Sequence, residues 1–143
     1  MSILSLAIGF EKIGYVSHQE KNRLRLSTHN NEIPKLEAGI REGYPQAKYL
    51  LDDEAAIKLI DETCNTVHNY IVMGIFGELC VAHTIAHALS KGILTLAPQH
   101  LIIMNGTYNE TLDESVKIII NEWYAGFSIT HSLENGIYKF TKN

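Results

Sequence analysis

Two cysteines, Cys64 and Cys80, are all the chain has. They form neither a disulfide framework nor a C-x-x-C pair, which fits a reducing compartment, and the cytoplasm is the expected location. Three prolines and no low-complexity tract exclude a disordered or linker-rich chain. Basic residues are also scarce. Twelve Lys and Arg against sixteen Asp and Glu give a formal charge of −4, which removes any general attraction to nucleic acid or anionic lipid. No G-x-x-x-x-G-K-[ST] or G-x-G-x-x-G run is present, so the usual phosphate cradles are missing. A G-x-S-x-G elbow, paired zinc-finger spacing, an RNP-type aromatic strand and a basic recognition helix are missing too. The opening MSILSLAIGFEK has no basic residue before its apolar run and no small-residue cleavage site, so a secretory signal is not expected. The sequons at Asn105 and Asn109 then carry no meaning as glycosylation sites.

Within those exclusions, 143 residues with 45% hydrophobic and 20% charged content fit one domain, 1–143. A chain this long removes roughly two thirds of its unfolded surface from water. Its dominant feature is Tyr70–Leu89, YIVMGIFGELCVAHTIAHAL, apolar on nearly every side. Read as a helix, it must be buried in protein or lipid. Glu78 near its middle, two histidines and a single flanking Lys91 argue against lipid. The expectation is a central core helix, and no membrane association. Gly74 and Gly77 within it mark places where other chain segments approach closely.

The flanking segments supply the rest. Leu4, Leu6, Ile8 and Phe10 alternate with Ser5, Ala7 and Gly9, a strand with one fully apolar face. Tyr15-Val16 and Asn22–Thr28 follow as further strands, the last with Leu24 and Leu26 against Arg23 and Arg25, which together predict an antiparallel meander. A short helix is expected over 33–42, with Pro34 at its start. A stronger one is expected over 53–69, capped by Asp52 or Asp53, with the stripe Ala56, Ile57, Ile60, Cys64 and Val67. Leu94–Met104, broken by Pro98, reads as a loop and then a short strand at His100–Met104. Thr111 with Glu114 predicts a capping box opening a last helix, with the stripe Leu112, Val116, Ile119, Ile120, Trp123 and Phe127. Asn135-Gly136 between alternating runs predicts a hairpin that pairs Leu133 with Tyr138 and His131 with Phe140. The fold class is therefore α+β: one antiparallel sheet from the N- and C-terminal strands, packed on three to four helices with a central apolar one.

Few groups here can do chemistry. On a helix, Cys80, His83 and His87 fall within about 60° of one another, so Cys80-x-x-His83-x-x-x-His87 can present a thiolate and two imidazoles to zinc or another transition metal. His68, His100 and His131 are the possible further donors. The plainer reading is that these are ordinary half-buried side chains, with no cofactor. Glu78 is the one acid of the apolar run; buried in a cleft it is a candidate acid or base, and otherwise a structural ion pair. His131 reads as a core histidine with a partner. Lys21, Arg23 and Arg25 make a basic strip, more plainly a solvated strand face.

These observations favour a small soluble non-enzymatic binding domain, such as an inhibitor, immunity-type protein or adaptor. Its expected patch is acidic and aromatic, formed by Tyr44, Tyr49, Asp52, Asp53, Glu54, Asp61 and Glu62, and its expected partner is a protein with a basic surface. The alternative is a small metal-dependent enzyme or ligand-binding protein using Cys80, His83 and His87, or Glu78. A homo-oligomer fits either reading, since a second copy can bury part of the apolar helix.

Overall fold

Residues 3–8 are apolar on both sides of a strand: Leu6 and Ile8 on one face, Ala7 on the other, all fully buried. A strand covered on both faces suits parallel pairing, and that is how the sheet is built. In the computed structural model, which describes residues 2–12, 15–17, 20, 30–105 and 110–143, β1 (Ile3–Ile8) pairs in parallel with β4 (Lys48–Leu50) and β5 (Asn69–Ile75) on its two sides. β5 pairs in parallel with β6 (Leu94–Pro98) and, beyond it, with the short β7 (Ile102–Ile103). β6 then pairs antiparallel with β9 (Ile137–Lys142), and β9 with β8 (Ile129–Glu134). A separate small ribbon joins β2 (Phe10–Lys12) to β3 (Tyr15–Val16).

Four α-helices among the described residues cover the two faces. One side carries α1 (Ile33–Gly43), whose Ile33, Leu36 and Ile40 pack with Ala7, Phe10, Met73 and Ile75. The other carries α2 (Asp53–Thr63), α3 (Ala82–Ser90) and α4 (Leu112–Trp123), packed on Leu6, Ile8, Tyr70, Val72, Tyr138 and Phe140. This is the expected α+β domain, with strands from both ends of the chain in one sheet. The sheet is mixed rather than antiparallel throughout, because the small second face of β1 is itself buried under α1. The antiparallel part is confined to β6, β9 and β8.

The long apolar segment is not one helix. Residues 69–75 are strand β5, residues Gly77–Val81 make a single π turn, and only Ala82–Ser90 is α-helix. A strand buried on both faces is a continuous apolar run, which periodicity cannot separate from a buried helix. Gly74 settles it locally: its φ is +116°, and a Cβ there would run into the backbone of Ile8. A Cβ at Gly77 would meet Met104 Sδ. Both glycines thus admit a neighbouring segment, as expected.

Other boundaries moved for identifiable reasons. β6 was expected to be loop, but Pro98 stands at its last position, opposite Ile137, where a missing N–H is tolerated. α2 stops at Thr63, since the chain must turn to enter β5. Its N-cap is Asp52, whose Oδ1 accepts from Ala55 N at 3.0 Å. The capping box of Thr111 and Glu114 is present. The hairpin has the expected register, with Asn135 and Gly136 both at positive φ. Trp123 departs from the expected buried stripe and is 67% exposed. The expected strand at Asn22–Thr28 and the strip Lys21, Arg23 and Arg25 lie outside the described residues. None of the described helices is long and apolar enough to cross a membrane.

Four parallel strands in chain order β1, β4, β5, β6 lie in the sheet as β4-β1-β5-β6. The winding reverses between β1 and β5, and in open sheets of this kind ligands bind beyond the carboxyl ends of the strands near that reversal.

Candidate functional site

Beyond the carboxyl ends of β4 and β5 the chain opens a cleft of about 470 Å³, within the range of small-molecule sites. Three segments form it. The first turn of α2 contributes Asp53, the π turn and α3 contribute Glu78, Leu79, Cys80 and His83, and one side of α4 contributes Ser115, Ile118, Ile119, Glu122 and Trp123, with Glu110 just before that helix. Residues 115, 118, 119, 122 and 123 recur at three- and four-residue spacing, so one stripe of α4 walls the cleft.

On its wall His83 Nδ1 lies 3.1 Å from Asp53 Oδ2. Asp53 reaches it because Asp52, not Asp53, caps α2. That hydrogen bond from His83 holds the Asp53 carboxyl below its ordinary value, against the opposing effect of partial burial. With Nδ1–H donated to the carboxylate, Nε2 is the ring nitrogen left for other work. The His83 ring also stands 5.6 Å from Trp123 and 5.9 Å, edge-on, from Tyr124.

Glu78 is buried, at 5% exposure, and its Oε1 accepts the Asn105 N–H at 2.6 Å. This bond ties the segment after β7 to the π turn. Ser115 Oγ donates to Glu110 Oε2 at 3.0 Å. Cys80 lies on the cleft wall, and burial pushes its thiol up to about 11. It is therefore a neutral thiol at physiological pH and a poor nucleophile there.

One turn further along α3, His87 is engaged on both nitrogens. Nε2 lies 2.7 Å from Asp61 Oδ1, which Lys91 Nζ also approaches at 3.4 Å, and Nδ1 lies 2.8 Å from the Tyr124 hydroxyl. Burial raises the Tyr124 phenol to about 12. The Asp61 carboxyl is held below its ordinary value, first by the His87 hydrogen bond. This second histidine links α2, α3 and α4.

Of the trio expected to share a metal, His83 and His87 thus bond to different carboxylates, Asp53 and Asp61. Among the described residues no group of three or more His, Cys, Asp or Glu stands together as a metal site requires. His68 and His100 are exposed and outside the cleft. His131 has a partner, as expected: Asp113 Oδ2 at 3.3 Å, with its ring stacked on Phe140.

The residues expected to form one acidic and aromatic patch are spread over different tasks. Asp52 caps a helix, Asp53 enters the cleft, Asp61 holds His87, and Tyr49 packs edge-on against Phe10 at 5.1 Å. Tyr44 is half-buried, while Glu54 and Glu62 are exposed on α2. No protein-family model matches the chain, and no curated protein or solved structure resembles it significantly. The geometry of the site therefore carries the functional argument.

Sequence reading passed over the pairing of Asp53 with His83 and the cleft wall of α4. The signal for the wall was present: Ser115 and Glu122 place polar groups on the same side of the helix as Ile118 and Ile119. Asp53 reads in the sequence as a cap or as part of the acidic patch, and nothing near it in the chain points to His83.

Proposed function

We propose that the cleft between α2, α3 and α4 binds a small molecule and that His83, oriented by Asp53, exchanges a proton with it. The observation that carries this reading is the Asp53–His83 hydrogen bond on the wall of the cleft. A carboxylate on Nδ1 fixes the tautomer and ring orientation, and it stabilises the imidazolium that forms when Nε2 takes a proton. Cys80, protonated and half-buried, has no nucleophilic part in this reading; Glu78 helps shape the cleft through its bond to the Asn105 amide. The reaction class is proton abstraction from a bound ligand, without a covalent intermediate.

A second reading, docking of a partner protein on the same rim, is favoured by one observation. Leu79, Ile118 and Trp123 are all exposed and all border the cleft, and apolar side chains gathered at one place on a surface mark contact sites.

The test is a fragment screen by amide NMR covering cationic, neutral and anionic compounds, on the native chain and His83→Ala. The expected hits shift the amides of 78–83 and 115–123 and disappear in His83→Ala, while its spectrum stays dispersed. Hits that map elsewhere, or survive the substitution unchanged, overturn the small-molecule reading.

A further inference from the structure

The two ends of the sheet are finished differently. β4, at one end, is three residues long and includes Lys48. A short edge strand and a lysine both discourage pairing with another chain. At the other end β8 runs for six residues, Ile129–Glu134, with neither proline nor lysine among them. Its register with β9 is unbroken, so no bulge turns the edge away. Thr130, Ser132, Leu133 and Glu134 are exposed, and among the described residues no strand pairs with the outer side of β8.

The hairpin decides which backbone groups face outward. A two-residue turn closes on a hydrogen-bonded pair, here Glu134 and Ile137. Ladder bonds to β9 then fall on the even-numbered residues, and the Asn143 N–H donated to Ser128 O at 3.0 Å continues that order. Ile129, His131 and Leu133 thus point their N–H and C=O groups away from β9. Their side chains share the helix-covered face with Tyr138 and Phe140. Leu133 is 45% exposed there. Towards the start of the strand, a groove of about 310 Å³ opens between α4 and β8, with Lys117, Ile120, Phe127 and Ile129 on its walls.

We infer that β8 pairs antiparallel with β8 of a second copy, continuing the sheet across a twofold axis at His131. Pairing odd residues with odd residues joins the outward groups of both strands. With His131 opposite itself, Leu133 of each copy meets Ile129 of the other and covers its groove, so apolar side chains pair with apolar ones. A shift of the axis by one residue in either direction sets His131 against Leu133 or Ile129 instead. The His131 ring stays with its own chain, bonded to Asp113 and stacked on Phe140. The charges match as well. Glu134 closes one end of β8, while the other end carries Lys142, paired with Ile129, and Lys117 on the groove wall. The twofold axis brings each Glu134 to the basic end of the other copy and keeps the two carboxylates roughly 20 Å apart along the strands.

Sedimentation velocity and amide hydrogen exchange on the native chain, both over a wide range of concentration, test this together. The expected result is a dimer in which the amides of Ile129, His131 and Leu133 are protected whenever it is populated, while those of Thr130, Ser132 and Glu134 are protected in monomer and dimer alike. Leu133→Lys, at an exposed position, is expected to weaken the dimer at least about tenfold and to leave the protection of Thr130 and Ser132 unchanged, which reports an intact hairpin. Glu134→Lys is expected to weaken it severalfold at low salt and less at high salt. A monomer at every concentration overturns the proposal. A dimer whose protection does not alternate along β8, or one that Leu133→Lys forms as readily as the native chain, also overturns it and assigns the contact to another surface.

Discussion

Asp53 and His83 start from different helices and meet at 3.1 Å on the cleft wall, Oδ2 against Nδ1. The pair fastens the first turn of α2 to the first turn of α3, so it affects stability as well as chemistry. Since the Asp53 carboxyl is held below its ordinary value of 3.8, the folded state favours its ionised form. Its contribution to stability is fully present above pH about 4 and is lost as pH falls through the lower, folded value. Urea melts of the native chain and Asp53→Asn should therefore differ at pH 6 and converge as the pH drops towards about 3. A difference that stays constant over that range would mean that the carboxylate charge adds nothing to folding.

The His87 network makes a different prediction. Its imidazole bridges Asp61 on α2 and the Tyr124 hydroxyl at the end of α4. Tyr124→Phe removes one hydroxyl and leaves Nδ1 of a half-buried ring without that partner. The expected cost is about 1 kcal/mol, as for one hydrogen bond. In a cycle with His87→Ala the two losses should be strongly non-additive, because each change breaks the same bond. Additive losses from chemical denaturation would show that the bond contributes no coupling.

These two pairs show where sequence reading loses sight of a fold. Capping signals such as Thr111 with Glu114, and turn signals such as Asn135-Gly136, were legible because the residues that cause the structure are adjacent in the chain. The helix–strand boundary at Phe76 was not. A strand buried on both faces and a buried helix present the same unbroken apolar run, and only the contact of Gly74 with the Ile8 backbone separates them. Glu78, Cys80 and His83 were marked as chemically significant before any fold was known, and all three line the cleft. What gives His83 its role is Asp53, thirty positions earlier, and such a pairing exists only once α2 and α3 lie side by side on the sheet.

The chemistry assigned to Cys80 can be tested without knowing a ligand. With its thiol pushed up to about 11 by burial, only a trace of thiolate exists near neutral pH, and thiolate is the reactive form. Cys80 should react with iodoacetamide at pH 7.5 about a hundredfold more slowly than an ordinary exposed cysteine. Peptide mapping by mass spectrometry after timed alkylation reads this directly, with free cysteine as the reference. Rapid labelling of Cys80 in the folded protein would reverse its assignment as a bystander and make it a candidate nucleophile beside His83.

Two glycines, both at positive φ, separate backbone strain from lack of space. At Gly136, φ +77°, a Cβ meets nothing within 4 Å. Gly136→Ala is therefore expected to cost only the strain of a left-handed conformation, about 1 kcal/mol. At Gly74, φ +116°, a Cβ would collide with the carbonyl oxygen and nitrogen of Ile8 across the parallel ladder. Backbone cannot swing aside as a side chain can, so Gly74→Ala must part β1 from β5 at the carboxyl end that supports the cleft. The expected loss is about 3 kcal/mol or more, together with broadened amide signals from residues 74–83. Equal destabilisation of the two variants in chemical denaturation would mean that the β1–β5 contact is loose enough to absorb a methyl group, and the cleft would then not rest on a rigid floor.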